Sequence, residues 1–392
     1  MKAGIAVPGS PKSMRANDPH IRKPTAIRAG AVAHAGTTDA IFASGFEASG
    51  WVQGYYVGYE RDLYPIDAVD FGALTHLMIG RVRPLADGTV THDFDIDDVN
   101  GPIWAQNTVN ATHAAGRKAI LMVGGAGEID GWRAAASQHR DALVANLLAV
   151  MDQFGFDGLD LDWEPLEDTD QADFAALASE LRTDRPGMLM TVPIGWINSN
   201  FQVSDPWYGT IAPLFDRINV MTYDMAGPWD GWQSWHNSAL AGDSPTTPSS
   251  VASSVAFFLA SGVPASRLGV GSAFYGYCWQ GVTGPLQDGG TFADEATLSY
   301  ATIIDGYYSP SLRQWDASAS VPYLSSVNPI GAAGCNFVSY EDEQSIAAKG
   351  AYARSQNLGG VIIWTISQGH LGDRPPGEQD PLLEAIRAAF LE

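Results

Sequence analysis

Phe156-Asp157-Gly158-Leu159-Asp160-Leu161-Asp162-Trp163-Glu164-Pro165 is the stretch on which the fold and chemistry of this chain turn. Acidic and apolar residues alternate through it, and successive side chains of a β-strand point to opposite faces. Asp160, Asp162 and Glu164 therefore project to one side. Alternate strand residues lie about 6.6 Å apart, and two unit charges at that distance repel by roughly 2.5 kcal/mol at an effective dielectric of 20. That corresponds to about two pKa units, so at least one member of the row is expected to hold a proton near neutral pH. A proton-sharing row ending in Glu is a ready general acid. The same pattern also suits the solvated face of an edge strand, or three oxygen ligands for calcium or magnesium. Trp163 and Pro165 are poor choices for a solvated edge.

On either side of this stretch, short apolar runs alternate with helical patterns. The runs fall at residues 52–58, 75–80, 118–124, 156–162, 188–194, 217–223, 268–274 and 360–365. Between them, segments such as 132–153 and 173–182 place apolar residues at three- and four-residue steps, which predicts helices. Several runs are almost wholly apolar, as expected of strands covered on both faces. Eight βα units predict an α/β fold, the closed (β/α)8 TIM barrel. The competing doubly wound sheet lacks its fingerprint, because Gly125, Gly127 and Gly131 are wrongly spaced. The interval between the seventh and eighth runs is unusually long and turn-rich at 280–290 and 309–327. A small α+β insertion at about 277–337, beside the barrel mouth, is expected there. In such a barrel the C-terminal end of the fourth strand lines the active-site face, which favours the catalytic reading of the acid row.

Composition narrows the possible partners. The chain has 392 residues, 45% of them hydrophobic and 17% charged, enough to bury a sizeable core. Its 44 acidic against 22 basic side chains give a formal net charge of -22, which disfavours nucleic acid and anionic membrane surfaces. No run of about 18 apolar residues predicts a membrane span. Twelve Trp and 14 Tyr offer broad faces for flat apolar ligands, sugar rings included. Cys278 and Cys335 are the two cysteines, and either a disulfide or two buried thiols fits them. Residues 1–48 mix Pro, Gly and Arg without periodicity and are expected to form a disordered leader without the features of a secretory signal. The catalytic barrel is expected to occupy residues 49–392. No Ser/His/Asp triad, HExxH or phosphate loop competes with the acid row. Lys118 and Lys349, one opening a strand and one in a helical segment, are implausible Schiff-base residues. Neither a metal nor an organic cofactor is expected.

The run Asp157-x-x-Asp160-x-Asp162-x-Glu164 resembles the DxxDxDxE signature of family 18 glycoside hydrolases, the chitinases and their relatives. Further matches follow in order: Gly54-Tyr55-Tyr56, Met221-Thr222-Tyr223-Asp224, Gly227-Pro228-Trp229-Asp230 and His236-Asn237. Then come Phe274-Tyr275-Gly276, Trp315-Asp316, Val321-Pro322-Tyr323, Ser339-Tyr340-Glu341-Asp342 with Ser345 and Lys349, and Gly359-Gly360 leading to Trp364.

The resemblance implies retaining hydrolysis of β-1,4-linked N-acetylglucosamine polymers without an enzyme nucleophile, one of the known exceptions to the two-carboxylate scheme. Glu164 would protonate the glycosidic oxygen, and the substrate's own N-acetyl oxygen would attack the anomeric carbon to give an oxazolinium ion. Asp162 would orient the acetamide, and Asp160 would take up the shared proton. Tyr223 and Asp224 would hold the acetamido group, Trp364 would floor the distorted sugar, and Tyr55 would support Asp160. Met221, Tyr275, Trp229 and Trp232 complete the expected substrate contacts, and Asp157 looks structural. Chitin or N-acetylchitooligosaccharides would be the partners of an endo-acting, secreted monomer. The alternatives are an endo-β-N-acetylglucosaminidase acting on N-glycans, and a non-catalytic chitin-binding lectin of the same fold. The presence of Glu164 speaks against the lectin, and Trp315-Asp316 with Val321-Pro322-Tyr323 favours the chitinase.

One position departs from the family pattern. A serine that donates to the equivalent of Asp160 is replaced by Met122, in Met122-Val123-Gly124-Gly125. Methionine has no hydrogen to donate, so another donor or water must replace it, or the proton shuttle is weakened. Met122→Ser is therefore expected to raise turnover modestly and to move the pH–rate profile, as steady-state kinetics across pH would show.

Overall fold

The computed structural model describes residues 50–392 apart from Gln202. The leader expected over residues 1–48 lies outside the described residues. Thirteen strands are present among those described: β1 (Trp51–Val57), β2 (His76–Val82), β3 (Lys118–Ala126), β4 (Gly158–Glu164), β5 (Leu189–Gly195), β6 (Arg217–Met221) and β7 (Leu268–Ala273), then β8 (Tyr275–Gln280), β9 (Thr291–Ser299), β10 (Arg313–Asp316), β11 (Val321–Ile330), β12 (Cys335–Ser339) and β13 (Gly360–Trp364). The helices are α1 (Asn100–Ala114), α2 (Ile129–Gln138), α3 (Arg140–Phe154), α4 (Gln171–Asp184), α5 (Pro206–Ile211), α6 (Val251–Ala260), α7 (Tyr300–Gly306), α8 (Glu343–Ser355) and α9 (Pro381–Phe390).

Strands β1 to β7 and β13 pair in parallel to close an eight-stranded barrel, with β13 joining β7 to β1. The (β/α)8 expectation is met, each strand within a few residues of its expected place. Alternation in β4 sorts its side chains. Leu159, Leu161 and Trp163 enter the apolar layer between barrel and helices, while Asp160 and Asp162 occupy the other face and are also buried. Helix α4 supplies Phe174, Leu177, Ala178 and Leu181 to that layer at three- and four-residue steps. Each large apolar side chain removed from water there contributes roughly 1.5–3 kcal/mol.

The helix expected over 132–153 is instead two, broken at His139, whose φ of -136° and ψ of 32° lie outside the helical range. The buried positions Trp132, Ala135, Ala136, Leu143, Val144, Leu147 and Met151 keep one helical phase straight through the break. Periodicity therefore carried no trace of it.

Strands β8–β12 form a separate antiparallel sheet in the order β10-β11-β12-β8-β9, with α7 between β9 and β10. It starts only one residue after β7. Tyr275 and Tyr277 thus stand on β8 and not at the end of a barrel strand, and the sheet extends from Tyr275 to Ser339. Cys278 and Cys335 are disulfide-bonded across β8 and β12, closing a span of 57 residues. Buried Lys349 of α8 donates to Glu341 and Ser238, which ties the end of this sheet to the loop after β6. Closing a loop of that length restricts the unfolded chain. Cys278→Ala/Cys335→Ala is expected to lose roughly 2–4 kcal/mol of stability against the oxidised protein, measured by urea denaturation. A double variant as stable as the oxidised protein would contradict this role.

Candidate active site

The site is built on the mouth end of β4. Its register against β3 pairs Met122 with Asp160, Gly124 with Asp162 and Ala126 with Glu164. From outside the barrel, Trp132 of α2 stacks on Trp163 with ring centroids 5.1 Å apart, and its Nε1 donates to the Asp162 carbonyl at 3.1 Å. Gly124 has φ 93°, and a Cβ there would lie 2.3 Å from both that carbonyl and Trp132 Nε1. Only glycine allows this approach. The row is thus held by packing on the face opposite its carboxylates.

Asp160 lies deepest. Tyr55 Oη donates to its Oδ2 at 2.7 Å, and Thr191 Oγ1 donates to its Oδ1. Burial lifts its carboxyl to about 6, against the two hydroxyls that favour the anion. Asp162 is buried with Oδ1 lacking a hydrogen-bond partner. Burial, then the charges of Glu164 and Asp160, hold it well above the usual carboxylate range. Asp162 and Glu164 are hydrogen-bonded to each other and titrate as a pair. Glu164 is itself raised, chiefly by burial, and is the member of the row that keeps some exposure to the cleft.

The other expected residues gather around this row to differing degrees. The Tyr55 ring lies 5.1 Å from that of half-buried Trp364 at the end of β13. Tyr223 is buried with its ring 6.1 Å from that of Tyr275, and Gly271 of β7 makes room for it: a Cβ there would lie 2.8 Å from Tyr223 Cε1. Burial, then the charges of Glu164 and Asp162, push the Tyr223 hydroxyl well up, so it stays a donor. Asp224 Oδ1 accepts from Tyr275 Oη and Tyr277 Oη, and its backbone N donates to Asn237 Oδ1 at 2.8 Å. Its φ of 58° is a left-handed conformation that the surroundings hold in place. Met221 is half-buried against the barrel-interior cluster. Of the tryptophans after β6, Trp235 is enclosed and donates to the Ser249 carbonyl, and Trp232 is 7% exposed. Trp229 is half-buried, its ring 6.2 Å from Trp196. Asp157 stands at the opposite end of β4, accepting from Lys118 Nζ, His113 Nε2 and the Ala119 amide.

Three partners escaped sequence reasoning. Thr191 donates to Asp160 from the strand on the flank opposite Met122, so Asp160 has a second side-chain donor besides Tyr55. It sits on β5, directly opposite Asp160 in register. Tyr277 follows Tyr275 at the two-residue step of a strand, a signal that was present in the sequence. Asn237 lies 13 residues from the Asp224 amide it accepts from, and no local pattern announces that contact.

The model of the glycosyl hydrolases family 18 matches residues 52–369, so the chain belongs to that family of glycoside hydrolases. It is 27% identical to a class V chitinase of Arabidopsis thaliana over 77% of this chain and 82% of the relative. It is also 29% identical to chitinase A1 of Niallia circulans over 64% of this chain, a match spanning 39% of that longer relative. A crystal structure of the Ostrinia furnacalis Group IV chitinase superposes with a TM-score of 0.74 at 27% identity, covering 88% of this chain and all of that one. The same insect enzyme in complex with allosamidin gives 0.73 at 28% identity, covering 86% and 98%.

A buried acid whose pKa is raised makes the folded state bind protons that the unfolded chain has released. Between pH about 4 and the raised values, about 6 for Asp160, the row therefore subtracts stability as pH rises. Asp162→Asn removes one titrating group and offers Glu164 an amide donor. The variant is expected to unfold on the order of 2–4 °C above wild type near pH 7.5, and this gain should shrink towards pH 4. Calorimetry at the two pH values checks it, and an equal gain at both would contradict the assignment.

Proposed function

We propose that this chain hydrolyses β-1,4-linked N-acetylglucosamine chains, chitin and N-acetylchitooligosaccharides, with retention and with the substrate's acetamide as nucleophile. The observation that carries the reading is the row itself. Three carboxyl groups, all raised chiefly by burial, stand along one strand in a nearly closed space, Asp162 with one oxygen unpartnered and Glu164 the least buried.

In this reading Glu164 gives its proton to the glycosidic oxygen as the bond from that oxygen to C1 breaks. The acetamide carbonyl oxygen of the same sugar closes on C1, forming an oxazolinium ion. Having the nucleophile inside the substrate is worth several kcal/mol in effective molarity. The free oxygen of Asp162 accepts from the acetamide N–H, and its negative charge faces the positive charge that develops there. A second proton, held between Asp160 and Asp162, settles on Asp160 as Asp162 ionises, and Tyr55 and Thr191 keep their hydrogen bonds to the Asp160 carboxyl. Water then attacks C1 from the side the leaving sugar vacated, giving its proton back to Glu164, and the β configuration is kept. Tyr223 donates to the acetamide carbonyl, while Tyr275 and Tyr277 hold the Asp224 carboxylate in place beside it. Trp364 forms the floor of the sugar at the cleavage point. Trp229, Trp232 and Met221 extend the wall on the leaving-group side, and half-buried Trp229 offers the largest free face.

The insect relative, a chitinase with an allosamidin complex, supports a carbohydrate ligand for this chain. The disulfide fits an oxidising compartment, and with it export of the enzyme. No helix among the described residues is long and apolar enough to cross a membrane. Action within the chain and as a monomer completes the proposal.

Glu164→Gln is expected to lower turnover by roughly 10²–10⁴-fold with little change in thermal stability, and wild type to release β-anomers from acetylated oligomers. Fully deacetylated oligomers, which lack the nucleophile, should resist. Cleavage of both at equal rates, or first-formed products of α configuration, would refute the mechanism. Release of intact N-glycans in place of chitooligosaccharide cleavage would favour the endo-β-N-acetylglucosaminidase alternative.

A further inference from the structure

Arg81 has no part in the steps above, yet it stands beside the acid row. Pairing between β2 and β3 slips there: Ile79 faces Leu121, but Val82 faces Val123, so β2 carries an extra residue. A bulge of this kind re-aims a side chain, and here the Arg81 side chain crosses to β3. Nη1 donates to the Gly124 carbonyl at 2.9 Å, Nε donates to Asp95 Oδ2 at 2.9 Å, and Nη2 lies 3.3 Å from Glu128 Oε1.

The guanidinium reaches the row across Gly125. A Cβ placed on that residue would lie 2.9 Å from Arg81 Nη1, 3.2 Å from Met122 Cε and 3.6 Å from Asp162 Oδ2. Cation and carboxylate are therefore no more than 6.5 Å apart, across a gap that the absent side chain of Gly125 leaves open. Met122 lines the gap with an apolar thioether, and Gly80 makes room for it, since a Cβ there would lie 2.6 Å from Met122 Sδ. An apolar lining weakens screening and lengthens the reach of a charge.

We propose that Arg81 is a positioning residue for the acid row: a fixed cation at the barrel mouth that holds Asp162 and Glu164 in their singly protonated state and so sets the pH range of turnover. The inference rests on the function proposed above. Asp95 and Glu128 offset part of the charge, and Arg83 of the same strand pairs with Asp93 and Asp95. Tyr59, from the turn after β1, faces it as a neutral phenol that burial keeps protonated. On the cleft side stand Asp160, Asp162 and Glu164 of β4 and Asp224 after β6, with the buried phenols of Tyr55 and Tyr223. Burial lifts Asp162 and Glu164, and the Arg81 charge opposes that lift in both.

The sign of the effect follows. Without the cation both groups hold their protons to higher pH. The acid limb, on which the pair must lose a proton, and the alkaline limb, on which Glu164 must keep one, both move up.

The experiment compares kcat/KM across pH on N-acetylchitooligosaccharides for wild type, Arg81→Met, Arg81→Gln and Arg81→Lys. Arg81→Gln keeps a donor for the Gly124 carbonyl without the charge, and it provides a second neutral variant should Arg81→Met fold poorly. Both neutral variants are expected to shift both limbs upward by about 1 pH unit, while Arg81→Lys retains the wild-type limbs. Limbs that stay in place while turnover or stability falls would overturn the inference. So would a shift in Arg81→Met that Arg81→Gln abolishes, because the hydrogen bond would then be responsible. A wild-type chain that leaves the oligosaccharides intact defeats the proposed function, whereas an active one with unmoved limbs defeats only the role of Arg81.

Discussion

Everything at the barrel mouth depends on one constraint: a strand with a two-residue side-chain period, closed inside a barrel, cannot present its acids and its apolar residues to the same surroundings. In β4 the outward side chains Leu159, Leu161 and Trp163 join the layer beneath the helices. Asp160 and Asp162 on the other face are nonetheless buried. Burying carboxylates side by side is expensive, and the strand bears it because the opposite face is well packed. Trp132 stacked on Trp163, and the close approach at Gly124, keep the row from rotating outward. The same packing that stabilises the fold thus keeps the carboxyl groups buried and their pKa values raised.

The surroundings of the row moderate its cost without removing it. Tyr55 and Thr191 satisfy both oxygens of Asp160, whereas Asp162 keeps an oxygen without a partner. A buried acceptor without a donor is costly, and that cost is a reason for Asp162 to hold a proton. The Asp224 carboxylate shows the other solution, with two phenol donors and a backbone amide held by Asn237.

The inserted sheet contributes those phenols, so it belongs to the site as much as the barrel does. Its attachments are polar and buried. His236 Nε2 meets Asp316 Oδ2 at 3.0 Å, Lys349 joins Glu341 and Ser238, and Asn237 N donates to Ser339 Oγ at 2.7 Å. All three link the loop after β6 to the insertion or to the segment that follows it. Breaking a buried charge pair such as Lys349–Glu341 leaves an uncompensated charge. Loop and sheet are therefore expected to hold their relative position together rather than drift apart.

Much of this was legible in the residues themselves. Apolar runs marked all eight barrel strands, because a strand covered on both faces needs little but apolar side chains. The acid row declared its shared face, because strand periodicity is local. The disulfide was one of two open readings until backbone pairing brought β8 beside β12. The break at His139 escaped detection because the apolar phase runs through it. Thr191 meets Asp160 only through the register of β4 on β5. Arg81 reaches the row only through a slip between β2 and β3 and a missing side chain at Gly125. By itself, then, the sequence determined strand order, the barrel and the carboxyl groups that share a face, since these follow from periods of two and three to four residues along one segment. The donors, counter-charge and cross-link that tune those carboxyl groups were decided by tertiary structure alone. They depend on distances between segments far apart in the chain, which no period within one segment encodes.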